Sequence, residues 1–134
     1  MDGVILTPLK RIPHPKGDIS HAIRSSDPGF SGFGEAYFTE IIQGETKGWK
    51  KHSRMTLNLV VALGSVEFTV HNEETSERIT NIISLHRYSR LTVRAGLWVA
   101  FTGLDAKNII LNIASIAHDP EESINLSLDA FDID

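Results

Sequence analysis

The sequence contains no cysteine, which excludes disulfides, thiolate nucleophiles and cysteine-ligated zinc. It has no apolar run approaching the ~18 residues that cross a bilayer. Met1 to Pro8 show no charged segment leading into an apolar stretch, so no signal peptide is expected and a cytoplasmic location is. The sequon Asn125-Leu126-Ser127 is accordingly read as accidental. No block of five like charges occurs, and thirteen Lys and Arg against seventeen Asp and Glu leave a net charge of −4. The one basic cluster, Lys47, Lys50, Lys51 and Arg54, suits a phosphate or two and is too small to track a polyanion. Neither a nucleic-acid nor a membrane partner is expected. Aromatic residues are few, and Tyr37 and Tyr88 are the only phenols.

What remains is ordinary for a globular chain. With 134 residues and 41% hydrophobic content, residues 1–134 are expected to form a single domain with a real core. The stretch 8–34 holds four of the five prolines and turns at Asp27-Pro28-Gly29; within it, 14–30 reads as an irregular N-terminal arm, with Ile19, Ile23, Phe30 and Phe33 to bury. Short β-type runs follow at 35–42, 66–70, 79–85, 90–93, 97–101 and 107–117, separated by Gly44, Gly64, Gly96 and Gly103. Residues 49–63 read as one long strand or two short ones. The one helix expected is 120–126, capped by Asp119, with Pro120 at its first position and Glu121 and Glu122 at its positive end. The pattern predicts an all-β barrel or sandwich of two antiparallel sheets with one short C-terminal helix.

Alternation predicts where polar groups point. If 49–63 is one strand, His52, Arg54, Thr56 and Asn58 share a face opposite Leu57, Leu59, Val61 and Leu63. Such a ladder suits a polar ligand pocket. In the last strand Asn108, Asn112 and His118 share one parity.

Four ordered segments carry a family resemblance: Gly34-Glu35-Ala36-Tyr37-Phe38, the run from Lys47 through Trp49, His52 and Arg54 to Leu59, the run from Arg90 through Gly96, Trp98 and Phe101 to Leu104, and Ala117-His118-Asp119-Pro120-Glu121-Glu122. Together they resemble the short, cupin-fold relatives of dTDP-4-dehydrorhamnose 3,5-epimerase, a family of nucleotide-sugar epimerases and ketoisomerases. The resemblance implies a cupin-type jelly-roll barrel, usually a homodimer, that binds a nucleotide sugar and uses no metal or other cofactor. It makes His52 the counterpart of the family's catalytic base. The family's lysine falls near Leu57, its second histidine near Val99 and its acidic tyrosine near Asn112. The carboxylate that orients the base lies near the family C-terminus, where Asp132-Ile133-Asp134 offer no clear equivalent.

The candidate site follows. His52 is the expected catalytic base, against a bland reading as a surface histidine. Tyr37, inside a matched segment, is the better phenol for a general acid. Lys50, Lys51 and Arg54 are candidates for a diphosphate, Arg54 through a bidentate pair, although strand-edge lysines commonly serve only to deter pairing. Trp49, Trp98 and Phe101 can stack on a base or sugar, although such residues are more often core. Asn58 and Asn112 are candidate donors to an enolate oxygen, and His118 is a site or packing residue. Asp119 is read as a cap. The other histidines, His14, His21, His71 and His86, are scattered, so no metal site is expected.

The reading is an epimerase or ketoisomerase of surface-polysaccharide biosynthesis, acting on a nucleotide-linked 4-keto-hexose by proton abstraction alpha to the ketone. The alternative is a catalytically inert nucleotide-sugar-binding cupin, favoured by the missing lysine, acid and orienting carboxylate. A homodimer is expected, with the arm or the 35–42 strand crossing to the partner.

Overall fold

In the computed structural model, residues 1–131 are described. Twelve strands follow one another as β1 (Val4–Pro8), β2 (Arg11–Ile12), β3 (Ile19–Ser20), β4 (Glu35–Glu40), β5 (Thr46–His52), β6 (Leu57–Leu63), β7 (Val66–His71), β8 (Arg78–Ile83), β9 (Ser89–Val93), β10 (Trp98–Gly103), β11 (Ile109–Ala114) and β12 (Ser123–Asn125). One sheet has the order β1-β9-β6-β11-β4, the other β12-β5-β10-β7-β8, and β2-β3 form a separate hairpin. The paired strands are antiparallel, as in β6 with β9 and β10 with β7. The chain is a sandwich of two antiparallel sheets, as the β-type runs predict, and of the cupin-like kind that the resemblance implies.

The core lies between the sheets, where Leu57, Leu59, Val61, Leu91, Val93 and Ile110 meet Val66, Phe68, Val70, Ile83 and Val99. Strict alternation in Val66 to Val70 gives β7 its buried face. Residues 49–63 form two strands, and they belong to different sheets. The intervening turn, 53–56, breaks the parity between His52 and Asn58. Leu57 and Leu59 therefore face the interior, and Asn58 faces the opposite side. β1, for which the sequence offers only a short apolar run ending in Pro8, pairs with β9 at the sheet edge, where a proline costs no ladder bond.

The expected helix over 120–126 does not form. Asp119 does cap the segment, accepting from the Glu121 amide at 3.0 Å, but only the 3₁₀ turn Pro120–Glu122 follows. Residues Ser123–Asn125 instead pair with His52, Lys51 and Lys50, and Leu126 exchanges two backbone bonds with Trp49 at 3.0 Å. The open edge of β5 offers this segment a complete ladder, which outweighs the gain from so short a helix.

The arm is held by polar anchors more than by apolar ones. Ile23 and Phe30 are half-buried, whereas Ile19 and Phe33 are exposed. Arg90, wholly buried on β9, donates to the carbonyls of Ala22 at 2.7 Å and Pro28 at 2.9 Å and lies 3.7 Å from the Asp27 carboxylate. Asn58 donates to the Gly29 carbonyl at 3.0 Å and accepts from the Thr92 hydroxyl at 2.6 Å. Gly29 has φ +86°, and a Cβ there would lie 2.4 Å from the Thr92 oxygen, so the close approach needs glycine.

Candidate functional site

A cavity of about 340 Å³ opens between the two sheets. Leu57, Leu59, Val99, Phe101 and Ile110 make its apolar wall. Its polar groups come from four strands: Tyr37 and Thr39 on β4, Asn112 on β11, Lys47, Lys50 and His52 on β5, and Asn125 on β12. Alternation places them, since Tyr37 and Thr39, and likewise Lys50 and His52, are two residues apart on their strands.

His52 is nine-tenths buried, and its Nδ1 is hydrogen-bonded to Oε1 of the buried Glu122. The other oxygen of Glu122 accepts from the backbone amides of Arg54 at 3.1 Å and Met55 at 3.2 Å. The Ser53 amide and hydroxyl donate to the Glu122 carbonyl at 2.7 and 2.9 Å. Arg54 clasps Asp119 at 2.9 Å across the same two turns. A carboxylate can only accept, so the Nδ1 of His52 carries the proton and the neutral ring keeps its lone pair on Nε2. That is the arrangement a general base requires.

Burial pushes the Glu122 pKa up, but the hydrogen bonds from His52 and from the Arg54 and Met55 amides outweigh it and hold the carboxyl below its ordinary value, helped by the charge of the ring whenever His52 is protonated. The stability this group contributes is therefore present above the unfolded-state pKa and lost as pH falls through the lower, folded-state value. Denaturant midpoints measured from neutral pH down through the carboxylate range should fall, and Glu122→Gln should flatten that dependence.

Glu122 is the residue that sequence reasoning missed. The cap at Asp119 is correctly legible, but it assigned Glu122 to a helix start. The family pattern looks for the orienting carboxylate near the family C-terminus, and Asp132-Ile133-Asp134, which offer no clear equivalent, lie outside the described residues.

On the opposite wall, Tyr37 and Asn112 are direct cross-strand partners. The Asn112 Nδ2 donates to the Tyr37 hydroxyl at 3.0 Å, and its Oδ1 accepts from the Asn58 amide at 3.1 Å. The phenol thus sits one strand away from Asn112, where the family pattern would put it.

Of the expected site residues, His52, Tyr37, Lys50, Phe101 and Asn112 line the cavity. The others do not. Arg54 is occupied by Asp119 at the rim of the 53–56 turn. Asn58 lies under the arm because the turn reverses its parity. Trp98 alternates with Val99 and faces away, packed with Trp49 and Phe131, its Nε1 donating to Glu73 at 3.3 Å. His118 is exposed beyond the end of β11, so strand parity does not govern it. Lys47, Thr39 and Asn125 join the cavity unforeseen, Asn125 because β12 replaces the expected helix. Among the described residues, no three His, Asp or Glu converge on a possible metal position, and no helix is long and apolar enough to cross a membrane.

No family model matches the sequence, and no curated protein matches it significantly. Solved structures do. A dTDP sugar isomerase from Desulfovibrio desulfuricans G20 superposes with a TM-score of 0.91 at 29% identity, covering 96% of this chain and 87% of that one. The sugar 3,4-ketoisomerase QdtA from Thermoanaerobacterium thermosaccharolyticum, in complex with TDP, gives 0.81 at 18% identity over 92% of this chain and 88% of its own. The dTDP-6-deoxy-D-glucose-3,5-epimerase RmlC of Legionella pneumophila, in complex with dTDP-4-keto-L-rhamnose, gives 0.84 at 14% over 96% and 74%. With this fold, matched nearly end to end at 29% identity by a dTDP sugar isomerase, the chain matches in structure the cupin-fold dTDP-4-dehydrorhamnose 3,5-epimerase-like family.

Proposed function

We propose that the chain is a cytoplasmic epimerase or ketoisomerase of surface-polysaccharide biosynthesis that acts on a nucleotide-linked 4-keto-hexose. The observation that carries this reading is His52, whose Nδ1 is tied to Glu122 and whose ring lines the cavity. Its Nε2 removes the proton alpha to the ketone. The Thr39 hydroxyl, the Asn125 amide and Lys50 line the same cavity and are the donors for the developing enolate oxygen, lowering the barrier by stabilising that charge. Lys47 and Lys50 offer positive charge to a diphosphate, and Phe101 offers a ring to a sugar or base. His52 stands on one sheet and Tyr37 on the other, so a hexose between them meets base and acid from opposite walls. Side chains of the protein carry both proton transfers in this scheme. The inert-cupin alternative is less well supported, because in this reading Glu122 and Tyr37 take two of the three roles whose absence favoured it, the lysine alone having no counterpart.

The test is incubation with dTDP-, GDP- and UDP-linked 4-keto-6-deoxyhexoses in D₂O, with chelator present, followed by NMR of the C3 and C5 protons. Washout with one of them is expected. Measurable binding with no washout for any of them would leave the inert sugar-binding reading.

The chain should also assemble as a homodimer. Phe33, Phe38 and Ile42 are each about two-thirds exposed in and beside the edge strand β4, an apolar surface that a second copy would cover. Light scattering at micromolar concentration should give twice 14.8 kDa. A mass near 14.8 kDa removes the dimer.

A further inference from the structure

Asn112 stands where the expected acid is absent, yet it is 3% exposed and bonded at both ends of its amide. The Asn58 backbone N–H can only donate, so it fixes which end of the Asn112 amide is oxygen. The Nδ2 is then forced toward Tyr37, and the phenol oxygen must accept. An accepting hydroxyl has its own proton left over. Among the described residues, no hydrogen-bond acceptor takes that proton, and the Tyr37 side chain lines the cavity. We infer that Asn112 is a positioning residue, which holds Tyr37 as a hydrogen-bond acceptor so that the phenol O–H is directed into the cavity as a proton donor.

The inference rests on the proposed proton-transfer chemistry and specifies how one wall serves it. In the step, the Tyr37 O–H bond breaks and a C–H bond forms at the enolate carbon. The phenolate left behind keeps the Asn112 N–H as a donor to its new charge. The phenolate then regains a proton from solvent, and the imidazolium of His52 returns its proton to solvent, so the protein ends unchanged. An acceptor in place of the Asn112 N–H would instead draw the phenol proton away from the ligand.

Asn112→Asp makes that reversal with almost no change of shape. One carboxylate oxygen still accepts from Asn58, and the other now takes the Tyr37 proton. Two readouts decide the proposal. The first needs no substrate: the Raman Fermi doublet of tyrosine reports whether a phenol accepts or donates, and subtracting the Tyr37→Phe spectrum isolates Tyr37 from Tyr88. An acceptor signature in the wild type that becomes a donor signature in Asn112→Asp is expected. A donor signature in the wild type, or one unmoved by the substitution, overturns the proposal.

The second readout is isotope exchange. Tyr37→Phe and Asn112→Asp should each slow exchange by about 10²-fold, the scale of a lost general acid. The double variant should lose no more than about twofold beyond Tyr37→Phe alone, the scatter seen for additive sites. A multiplicative loss would mean that the new carboxylate acts on the substrate directly, and would overturn the assignment. If the wild type exchanges no substrate at all, the proposed reaction fails, and the Raman result alone still decides what Asn112 does.

Discussion

Glu122→Gln is expected to slow alpha-proton exchange by about 10³–10⁴-fold, the scale seen when an isosteric amide leaves a catalytic histidine in the wrong tautomer. The reason lies in the second oxygen of Glu122. It accepts from the amides of Arg54 and Met55, so a glutamine must keep its carbonyl oxygen there. Its NH₂ then faces His52 Nδ1 and donates to it, which moves the ring proton to Nε2. The lone pair needed for proton abstraction is no longer in the cavity. His52→Asn should abolish exchange altogether, since the amide is not a base. Both variants should keep their circular dichroism, and nucleotide binding measured by calorimetry should persist. Exchange in Glu122→Gln within tenfold of wild type would mean that Glu122 does not set the tautomer of the base.

The second large effect concerns the arm. Arg90→Met keeps the length and packing of a wholly buried side chain but deletes its donors to Ala22 and Pro28 and its pairing with Asp27. Two carbonyls and a carboxylate lose their partner at once. Removing one side of such a buried pair typically costs about 3–5 kcal/mol. Because Asp27 also accepts from the Arg24 amide at 2.8 Å, a loss near 3 kcal/mol is expected at that lower end. The urea midpoint should fall accordingly, and trypsin should cut after Arg24 well before the barrel unfolds. An unchanged midpoint would show that the arm is held by its half-buried Ile23 and Phe30 instead.

Eight of the twelve strands, β4 to β11, lie where short β-type runs indicate them, because side-chain parity is a local property that each strand carries in its own residues. The arm, the turns at Gly64 and Gly96 and the Asp119 cap are legible for the same reason: each depends on backbone preferences of a few neighbouring residues. His52 and Tyr37 stand out through their chemistry and through matched segments. Local information ends at the turn 53–56. Whether His52 and Asn58 share a face depends on whether the chain changes sheets there, and nothing within those four residues says so.

Glu122 is the sharpest case. As read along the chain it follows a cap and a proline, and every local cue points to a helix start. Its partner is 70 positions away, and only the pairing of β12 with β5 brings the carboxylate to the imidazole. The same holds for Asn112, whose two amide bonds reach back 54 and 75 positions to Asn58 and Tyr37. Fold class and candidate base are written in residue order, because periodicity and residue type act over a few positions. The orientation of the proposed base and acid is decided only when the sheets close, because a hydrogen bond depends on the distance between atoms and takes no account of the length of chain between them.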